Sequence, residues 1–174
     1  MNERHDLVPR IVVATVAPGR GSAKDDVVQI VVDELEAAKL QFIRGVTVNR
    51  EKQFIQQLVS HIANSNEADA VILIGGAGIG PRDFTCEAVD EISDRHIEGF
   101  GEAYRALLRD ELHLGPMALL CRATAGVCNK CVVLAMPRQP EALRRAMRVV
   151  VVPILGHAAR IAAGAARHPS IAPT

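Results

Sequence analysis

Residues 69–89, DAVILIGGAGIGPRDFTCEAV, constrain the fold of this chain more than any other stretch. The run Ala70–Ile74 is short, apolar, rich in β-branched residues and bounded by glycine, as expected of a strand covered on both faces of its sheet. Gly75, Gly76, Ala77, Gly78, Ile79 and Gly80 follow, a loop whose glycines tolerate positive φ and let a ligand approach the backbone closely. Asp83 and Thr85 are both good N-cap residues ahead of a first helical turn at Glu87-Ala88-Val89. Strand, glycine loop and helix N-terminus in succession is how α/β proteins hold phosphates: free N–H groups and the positive end of the helix dipole meet the anion. The spacing is not G-x-G-x-x-G, because Pro81 falls where the last glycine would stand, nor a P-loop, because no Gly-Lys-Ser/Thr follows. On spacing alone the loop is a phosphate or nucleotide site, or else a tight turn with structural glycines.

The rest of the chain alternates strand and helix. Arg10–Ala17 reads as a second doubly buried strand, followed by a loop of Pro, Gly and Ser and a helix over 25–39 with Asp26 as its cap. Gln41–Asn49 reads as a strand and Glu51–Asn64 as a helix with Phe54, Ile55, Leu58, Val59 and Ile62 on one face. Beyond the central strand we expect a helix over Thr85–Arg95, a turn at Gly99–Glu102 and a short helix over Ala103–Leu112. Met117–Ala123 and Cys131–Ala135 read as strands flanking a TAGVCNK turn. A long helix over 139–163 is kinked or split by Pro153, and residues 1–9 and the RHPSIAPT tail read as loose ends. The pattern predicts one α/β domain, with a core over about 10–163, a mostly parallel sheet and its ligand at the carboxyl ends of the strands.

Composition excludes several functions. With 174 residues the chain can bury a substantial core, and its 20 Lys+Arg balance its 20 Asp+Glu. No basic excess and few aromatic rings (no Trp, 1 Tyr, 4 Phe) argue against a nucleic-acid groove. The apolar runs are too short to span a bilayer and the first ten residues too polar for a signal peptide, so no membrane role and a cytoplasmic location with reduced cysteines are expected.

Several candidate residues carry two readings. Asp83 is a metal or phosphate residue, or else an N-cap or a salt-bridge partner of Arg82. Asp25 and Asp26 read as caps before metal ligands. Asn129 and Lys130 are turn residues or phosphate ligands, and Arg138 is a surface charge or an anion contact. Cys128 and Cys131 form a CxxC with Cys121 nearby, but no second CxxC or histidine pair accompanies it. Entering a strand, positions i and i+3 would face opposite ways, against a zinc or disulfide role. The six histidines are scattered, and Val149–Leu155 reads as core or subunit interface.

Four ordered segments carry a resemblance. GGAGIGPRDFTCEAV resembles the GGTG-x-x-x-RD-x-TPEA signature of the MoaB/Mog family of molybdopterin-binding proteins. GFGEAYRAL is similar to that family's GFGE segment, and CRATAGVCNKCVVLAMP to its SR-x-x-AG-x-x-NK-x-x-x-x-x-MP stretch. TVAPGRGSAKDD resembles its TVS-x-R-x-G-x-x-DD opening. The match spans roughly residues 10 to 155 in order. It implies the three-layer α/β/α molybdopterin-binding fold, a homotrimer or hexamer, other molybdenum cofactor biosynthesis proteins as partners, and adenylylation of molybdopterin by ATP with Mg²⁺. By the same resemblance Gly75, Gly76, Ala77 and Gly78 would present N–H donors, and Asp83 would hold Mg²⁺ or orient phosphate. Arg82, Arg122 and Lys130 would neutralise phosphate charge, with Thr85, Gly126, Asn129 and Pro137 completing the binding set.

The chain departs from the family pattern at Ala77 (for threonine), Cys86 (for proline), Cys121 (for serine), Ala17-Pro18, Val28-Gln29, Asn49 and Arg138. These changes remove polar groups from the expected site. The alternative to an adenylyltransferase is therefore a carrier or scaffold that binds molybdopterin or a nucleotide without turnover.

Overall fold

A computed structural model describes residues 8–18 and 26–165. Asp25, most of the loop after the first strand, and both chain ends lie outside the described residues. Strand β1 (Arg10–Ala17), helix α1 (Asp26–Ala37), strand β2 (Gln41–Asn49), helix α2 (Lys52–Asn64) and strand β3 (Ala70–Ile74) follow the expected order. They are followed by α3 (Thr85–Ile92), β4 (Arg95–His96), α4 (Glu98–Asp110) and a 3-10 helix (Gly115–Leu120). Strands β5 (Thr124–Cys128) and β6 (Cys131–Met136) lead to helices α5 (Pro140–Ala146) and α6 (Val152–Ala162), joined by a π-helical turn (Met147–Val151).

The strands form one six-stranded sheet in the order β2-β1-β3-β6-β5-β4. β2, β1, β3 and β6 run parallel, β5 is antiparallel to β6, and β4 is antiparallel to β5 and so points with the other four. Alternation on the central strands divides the interior in two. Ile11, Val13, Ala70, Ile72, Ile74 and Leu134 pack with α1, α4, α5 and α6. Val12, Ala14, Val71, Leu73 and Val133 pack with α2 and α3. Both faces of β3 are therefore buried, which is why its sequence is uniformly apolar instead of alternating. Helices on both faces give the expected three-layer α/β fold.

Adjacent strands β1 and β3 are followed by helices on opposite faces, α1 on one and α3 on the other. That is a topological switch point, and the crevice opened there at the carboxyl ends of the strands is where such sheets hold ligands.

Four expectations need correction. The Gly99–Glu102 segment is not a turn but the first part of α4; a Cβ on Gly101 would come within 2.5 Å of the Ala123 carbonyl oxygen, so the glycine serves close packing. Met117–Ala123 is not a strand. Pro116 starts a 3-10 helix there, and Met117 and Leu119 are left 62% and 75% exposed. TAGVCNK is mostly strand β5, with only Asn129 and Lys130 turning the chain at positive φ of 40° and 70°, as a two-residue hairpin requires. Finally, α3 ends at Ile92 with Ser93 as its C-cap, and Arg95, expected as its last residue, begins β4. The long C-terminal helix does continue through Pro153, which cannot donate to the preceding turn; the π turn just before it takes up the irregularity.

Candidate functional site

The glycine loop leaves β3 at the switch point. Gly75 and Gly76 have φ of 107° and 66°, a region that favours glycine. A Cβ at Gly75 would lie 2.9 Å from the Val16 carbonyl oxygen, and one at Gly76 would lie 2.3 Å from Thr85 Oγ1. Both glycines therefore satisfy backbone conformation and close approach at once. Thr85 explains the second contact: its buried hydroxyl donates to Gly75 O at 2.7 Å, and its N–H donates to Gly76 O at 3.1 Å. The residue expected as a cap is instead the first residue of α3, pinned to the loop; Phe84 holds the N-cap position. Asp83 is not a helix cap either. Its carboxylate turns back to accept the Gly80 N–H at 2.9 Å, closing the loop on itself.

Arg122 holds the loop from below. Its backbone N–H donates to Ala77 O at 3.0 Å, its Nε–H to Gly78 O at 2.7 Å and an Nη2–H to Asp83 O at 2.8 Å. The rest of the guanidinium pairs with Glu87 on α3. These hydrogen bonds hold the Glu87 carboxyl below the usual carboxylate range, against a smaller opposing effect of burial. Arg122 was expected to face phosphate. The structure gives it a different task, binding the loop's carbonyl oxygens.

The consequence is asymmetric. The carbonyls of Gly75, Gly76, Ala77 and Gly78 all accept hydrogen bonds. The N–H groups of Gly76, Ala77, Gly78 and Ile79 donate none among the described residues. Four successive backbone donors thus lie without a partner among the described residues beside the N-terminus of α3, an arrangement suited to an anion.

A cleft of about 300 Å³ adjoins this loop, lined by Pro18, Asn49, Arg50, Glu51, Arg82 and Phe84. It collects the ends of β1 and β2 with the loop after β3, at the switch point. Neither the Arg50 nor the Arg82 guanidinium has a side-chain partner among the described residues. Phe84 is 39% exposed at the cleft, an uncovered ring beside two free cations.

Comparison with known proteins decides the family. The family model described as "Probable molybdopterin binding domain" matches residues 9–157. The chain belongs to the molybdopterin-binding domain family. Molybdenum cofactor biosynthesis protein B of Bacillus subtilis (strain 168) is 34% identical over 158 residues, 91% of this chain and 92% of that protein. A crystal structure of molybdenum cofactor biosynthesis protein B superposes with a TM-score of 0.82 at 32% identity, over 89% of this chain and 96% of that one. The tungsten cofactor synthesizing protein MoaB from Pyrococcus furiosus gives a TM-score of 0.71 at 29% identity, over 87% and 98%.

Of the residues that the family resemblance singled out, the structure gathers Gly75, Gly76, Ala77, Gly78, Arg82, Asp83, Thr85, Arg122 and Pro137. Pro137 follows Met136, whose carbonyl oxygen accepts the Gly75 N–H at 2.8 Å. Three others lie elsewhere. Asn129 and Lys130 turn the β5–β6 hairpin at the opposite end of the sheet, roughly 20 Å away at about 3.3 Å per strand residue. Gly126 lies within β5, where a Cβ would stand 2.1 Å from Ser93 Oγ; it lets the end of α3 and β4 pack against the sheet. Arg50 and Phe84 were missed. Arg50 lies outside the quoted motifs and Phe84 at a variable position within one, and only the fold shows that the β2 end and the glycine loop share one cleft.

The departures from the family pattern also find places. Ala77 is buried (1% exposed), so its methyl lies within the loop's packing. Asn49 Oδ1 accepts the Glu51 N–H at 3.1 Å, shaping the cleft's β2 side. Cys86 Sγ donates to Arg122 O at 2.8 Å, and burial pushes its thiol up to about 12, so it is a packed, protonated group and no nucleophile. Cys128 and Cys131 do not face opposite ways. They are partners across the hairpin and belong to the same core layer, because the chain reverses between them. No group of three or more His, Cys, Asp or Glu able to hold a metal occurs among the described residues.

Proposed function

We propose that this protein acts in molybdenum cofactor biosynthesis by adenylylating molybdopterin. The observation that carries this reading is the set of N–H groups at Gly76–Ile79 that have no partner among the described residues, beside a cleft whose Arg50 and Arg82 likewise have no side-chain partner among them. In the proposed reaction a terminal phosphate oxygen of molybdopterin forms a bond to the α-phosphorus of ATP. The bond from that phosphorus to the α–β bridging oxygen breaks, and pyrophosphate leaves with its electron pair. Chemistry of this kind is achieved mainly by positioning and charge stabilisation. The loop N–H groups would bind one phosphate, Arg82 and Arg50 would offset its neighbours' charge, and Arg122 would act as a positioning residue. Mg²⁺ fits a site with one carboxylate: it is commonly held by one or two carboxylates plus substrate phosphates. Asp83 would hold it, and the ion would offset phosphate charge. The exposed Phe84 ring suits a flat heterocycle.

The homotrimer or hexamer belongs to the same proposal. Met117, Leu119 and Leu120 are all exposed on the 3-10 helix, an apolar surface that a second copy would cover. Val149 and Ile154 are exposed as well, whereas Val151 and Leu155 are buried in the core. No helix among the described residues is long and apolar enough to cross a membrane, and we place the reaction in the cytoplasm.

Pyrophosphate release from Mg-ATP, with and without molybdopterin, tests the enzyme. Pterin-dependent release is the expected outcome. Binding of molybdopterin without release would favour the carrier reading, which the buried methyl of Ala77 and the polar losses at Ala17-Pro18 support.

A further inference from the structure

A cavity of about 680 Å³ lies at the other end of the sheet, below the amino ends of β1 and β3 and beside the β5–β6 hairpin. Its volume is within the range of small-molecule sites. Three cations line it. Arg10 is cancelled: its guanidinium pairs with Asp69 at 3.0 Å and donates to Asn66 O at 2.9 Å. Lys130 and Arg160 are not cancelled, since neither makes a side-chain hydrogen bond or ion pair among the described residues. The rest of the lining mixes small apolar side chains, Ala63, Ala159 and Ala163, with the neutral polar groups of Gln41, Asn64 and Asn66.

The two cations come from separate elements. Lys130 is placed by the tight hairpin, at φ 70°, a conformation that disfavours a lysine over glycine. The hairpin is itself anchored, because Asn129 donates its N–H to Asp94 at 2.7 Å and its side-chain amide to Asn64 at 3.0 Å. Arg160 comes from the last helix. Two uncompensated positive charges over a small-residue wall suit an anion with a carbon body, and they suit a neutral or cationic ligand poorly.

We propose that this cavity is a second binding site, separate from the glycine loop, for a small organic anion. Its phosphate or carboxylate is met by Lys130 and Arg160, and its apolar part lies on the alanines of α2 and α6. The site is independent of the adenylylation reading, because no residue of the loop or its cleft lines it.

Calorimetric titration of the full chain with phenyl phosphate, with 3-phenylpropionate and with neutral benzyl alcohol is the test. One of the two anions binds and the alcohol does not; the tighter anion identifies the head group. Lys130→Gln and Arg160→Gln each weaken binding about tenfold, Arg160→Lys retains most of it, and Arg82→Ala leaves it unchanged. The inference is overturned if neither anion binds, if the Gln variants bind as wild type does, or if Arg82→Ala alone abolishes binding, which would place the anion at the glycine loop.

Discussion

The two ends of the sheet each carry a well-anchored arginine, and the two do opposite things. At the carboxyl end Arg122 binds backbone carbonyl oxygens, so the loop's acceptors are used while the N–H groups of residues 76–79 keep no partner among the described residues. At the amino end Arg10 binds the Asp69 carboxylate, so the charges cancel and the contact is structural. On the proposed reading, an arginine builds an anion site without touching the anion. What matters is which groups it leaves uncommitted.

The contrast is sharpest for the loop glycines. Gly76→Ala is expected to lower adenylylation about 100-fold or more, because the new Cβ would overlap Thr85 Oγ1 and displace the loop by a fraction of an ångström. Gly99→Ala, where an added Cβ meets nothing within 4 Å, should leave steady-state turnover unaltered and raise the melting temperature slightly. Equal losses in the two variants would break the distinction between a glycine needed for the site and one that is not.

Asp83→Ala should abolish turnover while retaining the fold, as judged by circular dichroism. Unchanged pyrophosphate release would remove Asp83 from the mechanism.

Arg122→Ala should lower both stability, by about 3 kcal/mol, and activity, since several charged hydrogen bonds are lost together. Asp69→Asn should cost only about 1 kcal/mol, because the Arg10–Asp69 pair is partly solvent-screened, and should leave turnover intact. Urea unfolding of both variants, paired with the activity assay, separates a positioning role from a structural one.

The smallest effect concerns pH. Glu87 titrates below its ordinary value of 4.5 in the folded state because Arg122 donates to it. Its contribution is therefore present above that ordinary value and lost as pH falls through the lower folded value. The stability gap between wild type and Glu87→Gln should be visible at pH 7 and close on acidification. A gap that widened toward acid pH would contradict the pairing.

Much of this was legible in the sequence, for identifiable reasons. β1 and β3 have the expected boundaries because buried parallel strands demand continuous apolar, β-branched runs, and the edge strand β2, half-exposed along most of its length, was legible from the β-branched and aromatic residues between its flanking helices. The glycine loop was legible because two positions need positive φ and close contact. The 3-10 helix at Gly115–Leu120 was not: its leucines and methionine mimic a buried strand, and only the fold leaves them exposed. Asn129 and Lys130 were drawn to the phosphate site by the family motif, yet β6 runs parallel to β3, which places its beginning at the far end. The role of Arg122 depends on backbone carbonyls presented by residues 78 and 83, which no side-chain pattern records. Arg50 and Phe84 join the site only through the strand order.

In the proposed reaction the N–H groups of Gly76, Ala77, Gly78 and Ile79 receive a phosphate. Amide chemical shifts of the isotope-labelled protein, followed during titration with Mg-ATP, test it most directly. The largest perturbations are expected on these four residues, with smaller ones at Arg50, Arg82 and Phe84, and Gly76→Ala should remove them. Silent loop amides, with saturable shifts elsewhere on the molecule, would contradict it.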